Sequence, residues 1–298
     1  MTLSQKPSGS SVFIFIYGLF HLLCMNPGLG AQAPSKASAE DAALLRQVMQ
    51  KTGDYCERLK AVALDFICHE NMQEKVYFYN KKSSYRRSEV AGEMIYSTQL
   101  QLRRIQDKTY VYDYQMIRKA EERYEKRDLL QQNGKKKEKK DAQLQLQRYF
   151  AQYLVYGPVG FLSHYWQQHF DYAIVGGETL DGLATLVLTA TPREEREENY
   201  SFGKIWVDAS DFSVLKIEWD PRSIPGYSEE LDSSIGNLKR EIKWSVTYGI
   251  EKNGIRFPSF QKLEEVLINH TGNRSPKYAL DILYDHYQFF IVETEIKY

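Results

Sequence analysis

The chain contains no motif that identifies a reaction. There is no His-Glu-x-x-His, so a helical zinc-hydrolase pair is absent. There is no Gly-x-Ser-x-Gly, so a hydrolase elbow is absent too. Gly157-Pro-Val-Gly160 and Gly176-Gly177 are turn glycines, with none of the spacing of a phosphate-cradling loop. Charge of one sign is also lacking: 39 basic residues face 39 acidic ones. A neutral chain has no global field to draw it to nucleic acid or anionic lipid. Nine prolines and no low-complexity tract argue against a disordered stalk.

One apolar run stands out. Residues 1–33 open with Lys6 as their only charge, continue through the apolar stretch Val12–Leu23 and end in Ala31-Gln-Ala33. That order is the pattern of a secretory signal peptide. The apolar part is about a dozen residues, shorter than the ~20 a membrane span needs. Cleavage is expected near Ala33, giving a periplasmic or secreted protein; an uncleaved anchor is the alternative. Cys24 follows Leu22-Leu23 where a lipoprotein signal wants a small residue, which disfavours a lipid-anchored form.

Cysteine is scarce. Beyond the leader only Cys56 and Cys68 remain. An exported pair is a disulfide candidate, worth roughly 2–3 kcal/mol in the chain-entropy model, although two buried free thiols read identically in sequence.

What is abundant is aromatic: 22 tyrosines and 14 phenylalanines, residues that favour strands and apolar binding surfaces. Leu44, Leu45, Val48, Met49, Tyr55, Cys56 and Leu59 recur at helical spacing and predict a helix over 39–60, with Glu40 and Asp41 in its first turn and Gly53 as a weak point. Thr109–Ile117 alternates, placing Tyr110, Tyr112, Tyr114 and Met116 on one face of a strand. Asn133-Gly134 and the lysine run 135–140 read as a solvated loop tip, or else as a basic patch for a partner. A helical insert is expected over 142–168, kinked or split at Pro158.

From Phe170 onward the pattern is an antiparallel meander. Asp171–Gly176 pairs with Leu183–Thr191, and Lys204–Asp208 with Ser213–Trp219. Arg240–Ile250 pairs with Ile255–Ile268 around Asn253-Gly254, and Lys277–Glu293 closes the sheet. Ile242, Trp244, Val246, Tyr248 and Ile250 share one face, so one side of the sheet is buried and the other wet. Strand and helix do not alternate, which excludes a doubly wound fold. The expected fold class is α+β: a curved antiparallel sheet, or half-barrel, wrapped around helical segments, as a single domain over 34–298.

The stretch Gly203–Glu218, with its apolar strand ending in Asp208 and its return strand Leu215-Lys-Ile-Glu218, resembles a hairpin of periplasmic outer-membrane lipoprotein-sorting proteins. Val175–Pro192 resembles the strand pair before it, and Tyr248–Pro258 the segment leading to the last strands. The resemblance covers roughly 165–298 plus the first helix, in the manner of a secreted bacterial relative. The lysine-rich tip and the loop 192–199 stand out from it as insertions. It implies an eleven-stranded type of half-barrel closed by helices, with an apolar cavity for acyl chains or a similar lipid-like ligand.

The residues expected to line that cavity are Trp206, Phe212, Trp219, Trp244, Phe257 and Phe260, with packing of the core as the plainer reading for each. Five of the six histidines lie beyond the leader (His69, His164, His169, His270 and His286). His164 and His169 are five apart and Cys68-His69-Glu70 is too compressed for one ion, so no metal and no cofactor are expected. Glu194-Glu195 and Glu229-Glu230 read as surface pairs. Asn199, Asn269 and Asn273 match the glycosylation acceptor pattern by chance. The expected function is therefore non-enzymatic: an exported protein binding a lipid-like ligand or a lipidated protein, with an envelope protein as a further partner and no nucleic acid. The alternative is an interaction or sensor module on the same scaffold with a filled core.

Overall fold

The computed structural model describes residues 36–61, 65–87, 94–119, 122–146, 154–193, 201–224, 238–269 and 271–290. The leader-like segment 1–33 with Cys24, the pairs Glu194-Glu195 and Glu229-Glu230, Asn199 and His270 lie outside the described residues.

Helix α1 (Lys36–Ala61) starts three residues before the expected 39, so Glu40 and Asp41 fall one turn inside it rather than at its entrance. Arg58 and Lys60 occupy its last turn, where the helix dipole favours cations. Val48, Thr52, Tyr55, Cys56 and Leu59 form one buried stripe at intervals of three and four. Each apolar side chain so buried contributes roughly 1.5–3 kcal/mol.

Among the described residues, thirteen strands follow. Eleven of them form one antiparallel sheet. The first three are β1 (Asp65–Arg87), β2 (Met94–Lys119) and β3 (Glu122–Gln132). The short β4 (Lys135–Lys139), fully exposed, comes next. The meander comprises β5 (Phe170–Leu180), β6 (Leu183–Pro192), β7 (Gly203–Asp208), β8 (Val214–Trp219), β9 (Lys239–Thr247), β12 (Phe260–Ile268) and β13 (Arg274–Phe290). Spatial order runs β4-β3-β2-β1-β13-β12-β9-β8-β7-β6-β5, so the last strand joins the N-terminal hairpins to the meander instead of closing an edge. The lysine run is thus an edge strand, and its charges keep that open edge from pairing with another chain.

The hairpin expected around Asn253-Gly254 is real but interrupted. Its tip is the separate pair β10 (Ile250–Lys252) and β11 (Ile255–Phe257), while β9 and β12 pair in the main sheet. Asn253 and Gly254 have φ of 54° and 72°, the positive pair that a tight two-residue turn needs.

The region 142–168 is not one long helix. Ala142–Leu146 contains no helix, and beyond it come a 3-10 turn (Leu154–Tyr156), α2 (Gly157–Leu162) and α3 (His164–Gln167). Pro158 sits in the first turn of α2, where its missing N–H costs nothing, and Ser163 is extended (φ −62°, ψ 150°), which separates α2 from α3. These helices pack on α1, β5 and β8. Cys56 Sγ lies 3.5 Å from the Pro158 carbonyl and Gln167 donates to the Met49 carbonyl at 2.7 Å.

Candidate ligand-binding face

Alternation along each strand sorts side chains onto two faces. Phe66, Cys68, Glu70, Met72, Glu74 and Val76 of β1 point inward and are all buried. So are Tyr110, Tyr112, Tyr114 and Met116 of β2, the face read from the sequence. Arg127 and Leu129 of β3, and Tyr278, Leu280, Ile282 and Tyr284 of β13, continue the surface. Most of it is aromatic or aliphatic, yet a belt of buried polar groups crosses it.

The belt has two parts. In the first, the Arg127 guanidinium donates to both Glu70 oxygens, at 2.6 and 3.1 Å, and lies 3.4 Å from Glu125. It also stacks 4.4 Å over the Tyr114 ring, whose hydroxyl donates to Glu125 at 2.7 Å. Tyr284 reaches Gln261 at 3.4 Å. In the second part, Tyr278 donates to Glu74 at 2.9 Å, and Glu265 lies 3.2 Å from Arg240. Burial, then the nearby carboxylates, pushes the Tyr114 and Tyr284 hydroxyls well above their usual pKa. The phenols therefore stay neutral donors. For Arg127 burial disfavours charge, but attraction and hydrogen bonding from Glu70 outweigh it and push the pKa up.

The six aromatics expected to line a cavity do not share one surface. Trp219, Trp244 and Phe257 are core residues; the two indoles pack 4.9 Å apart and Phe257 sits 5.5 Å from Phe66. Phe212 packs half-buried against that core from the β7–β8 turn. Trp206 and Phe260 alternate with the inward residues Ile205 and Gln261 and so lie on the other face. There Trp206 is covered by Lys216, 4.2 Å above its ring, and hydrogen-bonds Glu178. The Trp244 indole N–H is buried and has no acceptor among the described residues.

A cleft of about 240 Å³ opens over β6–β8, lined by Phe202, Trp219, Lys204, Glu218, Asp220 and Arg222 among others. Its walls are too mixed in charge for an acyl chain. Cys56 and Cys68 are both buried free thiols. The sequence reading missed Glu70, Glu125 and Arg127. Their only linear signal is a charge at an inward position of an apolar alternation, visible once the register of β1 and β3 is known.

Several solved structures are similar to this chain. One is a DUF1329 family protein from Desulfovibrio piger: 13% identity, covering 83% of this chain and 95% of that one, TM-score 0.33. Another is an outer membrane lipoprotein-sorting protein domain from Vibrio parahaemolyticus: 13% identity, 83% and 95% coverage, TM-score 0.34. A LolA superfamily protein from Nitrosomonas europaea has 11% identity, 82% and 94% coverage and a TM-score of 0.30. No protein-family model and no curated protein matches. At these TM-scores the overlap is partial, and the half-barrel architecture stands on the chain's own strand order.

Proposed function

We propose that this chain is an exported, non-enzymatic binding protein that holds an amphiphilic, lipid-like ligand or lipidated segment on the concave face of its sheet. The leader-like pattern of residues 1–33 supports export. The observation that carries the reading is the polar belt: Glu70, Arg127, Glu74, Tyr278 and their neighbours, set among tyrosines, methionines and leucines. Binding sites for amphiphiles combine apolar walls with a few convergent polar groups. Each acyl CH₂ buried against such a wall contributes about 0.8 kcal/mol. A buried ion pair, by contrast, adds little to stability over an apolar replacement, which favours a role in binding. The helices pack on β5 and β8 of the sheet and on the separate strand β11; Met72 and Met116, which adapt in shape, share the inward face with Tyr110–Tyr114, and Leu144 and Leu146 pack half-buried against the same core.

A second reading, an interaction module with a filled core, is favoured by one observation: Trp219, Trp244 and Phe257 pack against each other or against core rings. Extraction of natively purified protein for lipid mass spectrometry separates the two. A stoichiometric amphiphile supports the first; a well-folded, lipid-free protein whose melting temperature ignores added acyl amphiphiles supports the second.

A further inference from the structure

Spacing along the chain predicts no metal site, yet the opposite, outward face of β1, β2 and β13 gathers metal ligands. Asp113, His69 and Asp285 stand in one cross-strand row, His69 being paired with Asp113 on one side and Asp285 on the other. A β-bulge adds the fourth group. Ile67 faces Gln288 and His69 faces Asp285, so β13 carries one extra residue there. The extra residue throws His286 onto the outward face beside Asp285 while Tyr287 turns to the core. His286 takes a positive φ of 54° to do so. That is an unfavourable conformation for a non-glycine residue, and such strain concentrates at functional sites.

The ligand atoms of His69, Asp285 and His286 lie within 4.8 Å of one another, and the two imidazole centroids are 4.7 Å apart. Donors around a tetrahedral zinc sit roughly 3.3 Å apart, so small rotations of half-exposed side chains bring these three into range. The surroundings fit a cation. Among the described residues Asp113 and Asp285 have histidine as their ion-pair partner and no lysine or arginine. Orienting contacts are in place as well. His69 Nε2 lies 3.4 Å from Asp113, leaving Nδ1 toward Asp285, and Asn71 donates to Asp285 at 3.2 Å. A carboxylate behind a ligating imidazole is the usual outer support of a metal-bound histidine.

We propose that His69, Asp285 and His286 form a surface site for a divalent transition metal, with Asp113 as the residue that positions His69. Two imidazoles and one carboxylate suit zinc and its neighbours and leave a coordination position open for water or a ligand. The site is independent of the concave face and of the reading given to it.

The test is calorimetric titration of the EDTA-stripped full chain with Zn²⁺ alone. One ion per chain is expected. His69→Gln and His286→Gly should each weaken binding by at least about tenfold, and Asp113→Asn by about 10- to 100-fold. Glycine suits the positive φ at 286, and His286→Asn, which also tolerates it, serves if the glycine variant misfolds. Absence of binding overturns the proposal. So does binding that survives undiminished in both histidine variants.

Discussion

Glu70 and Arg127 are 57 residues apart in the chain and meet through two hydrogen bonds of 2.6 and 3.1 Å on the concave face, reaching over β2. Both side chains are nine-tenths or more buried. Removing one partner leaves the other charge in a medium that solvates it poorly. Arg127→Met is expected to lose about 3–5 kcal/mol of stability, and adding Glu70→Leu to recover much of it. Urea denaturation of the two variants checks this. A double variant less stable than the single one would show that the pair is not a coupled unit.

Asp208 closes the β7–β8 turn. Its burial would raise the pKa, but hydrogen bonds from the Ser210 hydroxyl (2.6 Å) and backbone N–H (2.8 Å), with Arg256 at 3.7 Å, outweigh burial and lower it. A carboxylate whose folded pKa is depressed stabilises the protein above its unfolded pKa of about 3.9, and that contribution disappears as pH falls through the lower folded value. Between about pH 5 and pH 3 the native protein should therefore lose more stability than Asp208→Asn does. Equal slopes in a pH series of unfolding curves would contradict it.

Burial, followed by Glu57 for Cys56 and by Glu70 for Cys68, pushes both thiols upward. Raised folded values favour the neutral thiol, a stabilisation present below the unfolded pKa of about 8.5 and lost as pH climbs beyond it. At pH 8.5 the folded protein should resist alkylation at Cys56 and Cys68, and both positions should label only when it is unfolded. Rapid labelling of the native protein would show that one of them is open to solvent.

Gly53 interrupts the apolar stripe of α1 for a packing reason. A Cβ there would overlap the His164 imidazole of α3, which itself lies 3.2 Å from Asp54. The ring is the exposed end of a side chain that can turn away, so Gly53→Ala should displace it from Asp54 and still gain most of the ~1 kcal/mol better helix propensity of alanine, and Gly53→Ala/His164→Ala should match it. A single variant less stable than the native chain, with the double variant restored, would mean that His164 is held in place.

The curved sheet and its first helix were legible where one physical signal dominated. Alternation from Thr109 to Ile117 marks the inward face of β2, and Asn253-Gly254 marks a turn that needs two positive φ values. Strand β1 was hidden because Glu70 and Glu74 occupy inward positions, so its alternation reads as polar on both faces. The 142–168 helix was over-read because Leu144 and Leu146 sit against the core without any helical backbone. The candidate site was the least legible part. It is assembled from charges on β1 and β3 and tyrosines on β2 and β13, brought together by strand pairing from distant parts of the chain.

The central claim is that the concave face holds an amphiphile. Its most direct test is mass spectrometry of organic extracts from the natively purified protein, with Tyr112→Ser and Met116→Ser as variants of the tyrosine-lined wall. One acyl-bearing molecule per chain, depleted in both folded variants, is the predicted result. A folded native protein that carries none, and whose melting temperature is unmoved by added acyl amphiphiles, would contradict it.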